Sequence, residues 1–327
     1  MTNIIGTSGN NTIVGVGQIN TVDYSSLSQG VTILPGGTVT KGTLGTDTLT
    51  SVQNIIGATG QTNTVDASSS TSTSNYIVFG EAASATSSTQ SLAVNGTGVP
   101  FPLSFSLTNF NNVLGTAGND TLIGGVGSYS FNGEGGTNTA DYSSLSQGIT
   151  FSTSSGIVSK GSLGTDTLLN FQSIKGAVGK TNTLNIGCNS SGETVNLATG
   201  SVTGSGLNYS VSNFNNVVAM RGHATLIGGV GQSTFTLNGN GGSNVFEVYE
   251  PINGKNIMNI TNFSASLDKI EINQSTSGIT SLGQISYHQN TGGLYAGNQE
   301  FAVLLNHPCS FSISSSIQLI GSSSTSA

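Results

Sequence analysis

Charge is scarce in this 327-residue sequence: Asp, Glu, Lys and Arg make up 6% of it, against about 25% in an ordinary soluble domain. The seven Lys and Arg are scattered along the chain. With no basic stripe to displace counterions, a nucleic-acid partner is not expected. Tryptophan is absent and there are only five prolines. Few prolines and a net charge of only −7 argue against a disordered chain, which is normally rich in both. Two unclustered cysteines, Cys188 and Cys309, could form one disulfide but read more readily as buried or incidental thiols. The longest clean apolar run, Phe301 to Leu305, falls far short of the roughly 20 residues of a membrane-crossing helix. Met1-Thr2-Asn3-Ile4-Ile5-Gly6 has neither the basic nor the apolar region of a cleaved leader, so on that ground alone retention in the cytoplasm is the expectation. A surface with few like charges also resists self-association only weakly.

What fills the sequence is glycine, 47 residues of it, with Ser, Thr and Asn at the polar positions. The chain also repeats. Thr21-Val22-Asp23-Tyr24-Ser25-Ser26-Leu27-Ser28-Gln29-Gly30 returns 118 residues later from Thr139 to Gly148. Lys41-Gly42-Thr43-Leu44-Gly45-Thr46-Asp47-Thr48-Leu49 returns 119 residues later from Lys160 to Leu168, and Gly57 to Thr64 returns at Gly176 with the same offset. Asn109-Phe110-Asn111-Asn112-Val113 returns 104 residues later at Asn213. A shorter block occurs three times, at Asn3–Gly17, Asn112–Gly127 and Asn216–Gly231. These matches divide the chain into a first unit, 1–111, a second, 112–215, a partial third, 216–250, and a distinct C-terminal segment, 251–327.

Within each unit, short β-branched runs lie between Gly, Asn and Ser: Thr12–Val14, Val31–Leu34, Ser51–Ile56, Thr121–Ile123 and Val217–Val218. Such runs read as strands between tight turns, and no stretch keeps a helical apolar period. Strands this short bury a face only when stacked coil on coil. The expected fold is therefore all-β, a parallel β-solenoid built from duplicated units of about 104–119 residues. A β-sandwich, or a chain of small β-domains, also fits the strand spacing. The Ser/Thr-rich stretches Ala67–Ser74 and Ala82–Gln90 are expected to be loops or irregular coil bulging from the solenoid.

Gly115-Thr116-Ala117-Gly118-Asn119-Asp120-Thr121-Leu122-Ile123, followed by Gly124-Gly125-Val126-Gly127, resembles the nonapeptide of the RTX (haemolysin-type calcium-binding) family. The run from Ile260 through Phe263 and Asp268 to Ile272 is similar to the segment that closes many such proteins. The resemblance implies a bacterial source and a parallel β-roll with one turn per pair of nonapeptides. It also implies Ca²⁺ held by Asp and backbone carbonyls, and type I export to the cell surface or medium through an uncleaved C-terminal signal. It covers the three blocks and the C-terminal segment, and covers residues 68–108 and 186–210 only loosely. The sequence departs from the pattern where ligands matter. At the Asp120 position the first block has Asn11 and the third Ala224, and two nonapeptides beyond Asp120 stands Asn138. Calcium wants six to eight oxygens including carboxylates, so Asp120 with Asn138 makes at best a weak site. Asp47 and Asp166 are alternative ligands, or else bond the backbone of their own turns. Calcium is thus expected to be weakly bound or absent, replaced by Asn, Ser and Thr hydrogen bonds.

No catalytic constellation emerges. His223, His288 and His307 lack zinc spacing, no nucleophile elbow is present, and the Gly-rich segments at Gly124 and Gly228 are not followed by a phosphate-loop Lys. The acid pairs Glu247/Glu250 and Asp268/Glu271 read as solvated surface in preference to glycosidase carboxylates. The chain is therefore expected to be non-enzymatic: a secreted structural subunit that self-assembles head-to-tail into a filament, sheath or layer. Alternatives are an adhesin or glycan-binding module, with cell-surface polysaccharide as partner and Tyr24 and Tyr142 as its aromatic platforms, and a β-helix carbohydrate-active enzyme.

Overall fold

The computed structural model describes residues 2–17, 19–70, 76–80, 89–95, 103–187, 192–204, 206–220, 223–229 and 234–321. The chain is all-β and parallel-rich, and coils as a β-solenoid. It forms two compact units, Met1–Ile149 with Ser155–Val178, and Thr150–Ser154 with Gly179–Ala327. The division falls inside the second sequence repeat.

Parallel register sets the core of each unit. In the first, Val22 lies opposite Ile55 and Ile55 opposite Leu107 on one sheet. On the other sheet Val65 pairs with Val113, Val113 with Phe131, and Phe131 with Leu168. In the second unit the inward column is Phe151, Leu184, Val217, Leu237, Ile260 and Leu304. All of these side chains are buried, each worth about 1.5–3 kcal/mol relative to exposure. Because side chains alternate along a strand, in-register stacking puts like on like, and the core becomes continuous although most strands have only three to five residues.

The simplest coil advances 18 residues, bringing Asp120 to Asn138, Thr2 to Asn20 and Asn112 to Ser130. Longer coils carry inserted hairpins. Between Thr21 and its partner Asn54, the strands Thr32–Leu34, Thr38–Thr40 and Thr46–Thr50 run antiparallel to one another. The stretches least like the nonapeptide hold antiparallel meanders: Tyr76–Gly80, Thr89–Asn95 and Leu103–Thr108 in the first unit, and Glu193–Asn196, Ser201–Gly204 and Leu207–Ser212 in the second. Of the two Ser/Thr-rich stretches, residues 67–70 include a turn and 89–90 begin a strand. The remainder lies outside the described residues.

One sequence alignment is corrected by the structure. A nonapeptide is half a coil, so two similar blocks can fall on alternate sheets. The block at Asn3 starts in Thr2–Ile5, on the same sheet as Thr121–Ile123, whereas its sequence match at Asn112 starts on the other sheet. The spatial counterpart of Gly6 is Gly124: a Cβ on either would lie 2.1 Å from a ring carbon of Tyr24 or Tyr142 respectively. Asn11 is therefore not the counterpart of Asp120. A second correction concerns Ser51–Ile56, where only Asn54–Ile56 is strand; Ser51 turns the chain with φ 57°.

That turn belongs to a clasp that recurs at the corners. Asn20, Asn63, Asn138 and Asn182 are fully buried, each beginning or preceding a strand. One coil later stands a residue in the left-handed region: Ser51, Asn109, Asn170 or Asn213, with φ of 57–66°. Each corner amide Nδ2 donates to the carbonyl of that residue, at 2.9, 2.7, 2.8 and 2.6 Å in turn. The backbone N–H of the same Asn donates to the side-chain carbonyl two residues further on, in Gln53, Asn111, Gln172 or Asn215. Between these two partners sits a buried apolar side chain, Val52, Phe110, Phe171 or Phe214. Asparagine suits the left-handed conformation that most residues avoid.

The clasp predicts a large cost for a small change. Asn138 Nδ2 donates to the carbonyls of Gly133, Gly135 and Asn170, and its Oδ1 accepts from the N–H of Asp120. Asn138→Ala is expected to destabilise the chain by about 3 kcal/mol, because buried partners are left unpaired. Exposed Asn298→Ala should cost under about 0.5 kcal/mol. Urea denaturation followed by circular dichroism measures both.

Candidate functional site

Four residues were candidate calcium ligands: Asp120, Asn138, Asp47 and Asp166. Asp120 and Asn138 meet as the 18-residue spacing requires, but through the Asp120 N–H donating to Asn138 Oδ1 at 2.8 Å. The Asp120 carboxylate itself accepts from Ile77 N–H at 2.8 Å, Thr116 N–H at 2.7 Å and the Thr116 hydroxyl at 2.9 Å. Burial pushes the carboxyl above its usual range, and those hydrogen bonds pull it back. Donors, not further oxygens, converge on it, so its surroundings do not fit a calcium site.

Asp47 and Asp166 have a different fate in the two copies of the Lys-Gly-Thr/Ser-Leu-Gly-Thr-Asp-Thr-Leu segment. Each forms an ion pair with the lysine six residues before it, Lys41 or Lys160, with all four side chains inaccessible to solvent. The Lys160–Asp166 distance is 2.7 Å. The hydroxyls of Tyr24 and Tyr142 each donate to the second carboxylate oxygen at 2.9 Å. Burial and the Asp47 charge push the Tyr24 phenol well above its ordinary range. Burial likewise raises the Asp166 carboxyl, against the pull of the Lys160 ammonium. Neither aspartate is a turn-closing Asx residue: in each copy the lysine ammonium holds the place beside the carboxylate. Tyr24 and Tyr142 are correspondingly corrected as glycan platforms: both are completely buried.

The acid pairs also resolve. Asp268 is buried, not solvated, and accepts from Asn244 N–H and Ser264 N–H, both at 2.8 Å. Glu247 and Glu271 are register partners on adjacent parallel strands, and the Glu247 carboxyl is raised by burial and by Glu271. Glu250 accepts from Asn256 at 3.2 Å. Among the described residues no three His, Cys, Asp or Glu side chains gather as a metal site would require. Cys309 is exposed, while Cys188 lies outside the described residues.

A surface that sequence reading missed lies on the first coil. Among the described residues the strand Thr2–Ile5 is an edge strand; in the same coil Ile5 at its end, Val14 on the other sheet's strand Asn11–Val14, and Val16 and Ile19 after it are 57, 56, 77 and 45% exposed. A signal was available in the duplication. At the positions 118 residues after Val14, Val16 and Ile19 stand Asn132, Glu134 and Thr137. At these three positions the first coil is apolar where its duplicate is polar, while Ile5 is matched by Ile123, itself 41% exposed. In the second unit Ile317–Ile320 is paired in parallel with Lys269–Asn273 and, among the described residues, with no strand on its other side.

Stability separates a structural tyrosine from a ligand-binding one. Tyr24→Phe and Tyr142→Phe are each expected to cost about 1.5–3 kcal/mol, the range for a hydrogen bond to a charged group. Thermal denaturation reads this directly. A glycan-binding role would leave the midpoint unchanged and abolish retention on polysaccharide. No family model matches the chain, and no curated protein matches it.

Proposed function

We propose that this protein is a structural subunit that stacks head-to-tail, the last coil of one copy on the first coil of the next, into an extracellular filament, sheath or surface layer. One observation supports this above the others: the first coil combines an open parallel strand, Thr2–Ile5, with the exposed apolar residues Ile5, Val14, Val16 and Ile19, and polar residues stand at the duplicate positions of the last three. An unpaired parallel strand presents a row of N–H and C=O groups that another strand can take up. The Ile317–Ile320 margin of one copy can continue the ladder at Thr2–Ile5 of the next. Such a head-to-tail contact propagates as an open filament wherever the rotation between copies does not close it into a ring. Scarce surface charge leaves little repulsion against that contact. The extracellular placement rests on the C-terminal run Ile260–Ile272, which resembles a type I export segment. The adhesin alternative loses its aromatic candidates with the burial of Tyr24 and Tyr142, and calcium is not required for stacking.

Negative-stain electron microscopy with sedimentation tests the reading. The purified chain is expected to form fibres or sheets both with calcium and with chelator. The triple variant Val14→Asn/Val16→Glu/Ile19→Thr, which carries the second copy's residues, should stay dispersed with an unchanged melting temperature. A wild-type chain that is monomeric at high concentration overturns the proposal, and a variant that still assembles removes the first coil from it.

A further inference from the structure

The Lys41 ammonium is held as a bound cation is held. Its Nζ donates to the carbonyls of Thr7 at 2.6 Å and Gly9 at 2.9 Å and to Asp47 Oδ1. All three of its N–H bonds are thereby used. Thr7 and Gly9 sit in the Gly-rich turn between the strands Thr2–Ile5 and Asn11–Val14, and Asp47 comes from the next layer, where it lies opposite Asn11. Alternate carbonyls of a tight turn plus a carboxylate from the adjoining layer are the oxygens a hard cation takes. The carboxylate is further fixed by Asn11, whose N–H and Nδ2 donate at 3.1 and 2.9 Å, and by the Tyr24 hydroxyl. The second copy repeats the core of this arrangement. Lys160 pairs with Asp166, which accepts from Tyr129 N–H at 3.2 Å and from Tyr142, and the Lys160 ammonium lies 5.4 and 5.9 Å from the centres of those two tyrosine rings.

We propose that Lys41 is a built-in cation, filling between two layers a site of cation-binding geometry and so freeing that joint from dissolved metal, with the Lys160–Asp166 pair as its counterpart in the second copy. The tether is covalent, so the joint between layers does not depend on ion concentration. The oxygens around Lys41 are then a latent site: without the ammonium they should accept a large cation of flexible coordination, such as calcium, better than magnesium, which demands a near-ideal octahedron. This stands independently of filament formation, since it concerns each copy by itself.

The experiment is a set of melting curves on the full chain, each with millimolar calcium, millimolar magnesium or chelator. Wild type is expected to melt at one temperature in all three. Lys41→Ala should melt at least about 6 °C lower in chelator, because a buried carboxylate has lost its partner, and should recover several degrees with calcium and less with magnesium. If it does not fold in chelator, its refolding yield with and without calcium reads the same response. The double variant Lys41→Met/Asp47→Asn, with both charges removed, should fold and ignore calcium. A calcium-dependent wild type overturns the proposal. So does a Lys41→Ala chain that calcium cannot rescue, and so does a calcium response that survives in the double variant.

Discussion

A coiled chain must turn, and in a stacked solenoid the turns are buried, so their N–H and C=O groups have no water to fall back on. Everything else in this structure follows from how those corners are satisfied. The buried Asn at the head of a strand does most of it. One amide both donates to the turn of the coil above it and, at Asn63 and Asn138, accepts from the coil below. A neutral amide is well suited to this place because it offers both donor and acceptor without the desolvation cost of a charge. A chain that meets its polar needs with amides, hydroxyls and backbone has little use for charged groups inside, consistent with the 6% of charged residues.

The two buried ion pairs run against that economy, and their partners explain how they persist. An unpaired buried charge is strongly destabilising, and even a paired one often does no better than an apolar substitute. Lys41 and Asp47 are therefore read as a device for position more than for stability. The pair joins the Gly6–Asn10 turn to the hairpin insertion that carries both residues. The same nine-residue segment recurs around Lys160 and Asp166, and glycine at positions 6 and 124 leaves room for the tyrosine ring that completes each site. The ring, the acid and the lysine form one unit, which is why all three return together in the duplication.

Much of this was legible in the residues. The strand-and-turn grammar and the 18-residue step from Asp120 to Asn138 both appear in the structure as parallel stacking, whereas its compact units divide inside the second sequence repeat. What was not legible has a common physical cause: the sequence carries period but not phase. Blocks half a coil apart look alike, so Asn11 was matched with Asp120 although the two begin strands on different sheets. Tyr24 after Asp23 looks like an exposed platform until the alternation of the strand is phased, and then the tyrosine falls inside and Asp23 stays partly exposed. Asp268 looked solvated for the same reason, since nothing local says that Asn244, 24 residues earlier, will stand directly on it.

Phase also determines what the duplication can reveal. Two copies of one unit in a single chain serve as each other's control, because packing demands on equivalent inner positions are nearly identical. Inner positions obey this: Val22 matches Ala140, Tyr24 matches Tyr142, Ile33 matches Phe151 and Leu49 matches Leu168, all apolar or aromatic and all buried. Outer positions are released from that demand, so a difference there reflects surroundings. Glu134 and Asn132 hydrogen-bond to each other on the outside of the second copy, an ordinary solvent-facing arrangement. Val16 and Val14 have no such recourse, and they belong to the same coil as the open strand Thr2–Ile5. Exposed apolar side chains and an open ladder in one coil are each costly to leave bare, and under the proposed stacking another coil would pair the ladder and shield the apolar residues next to it.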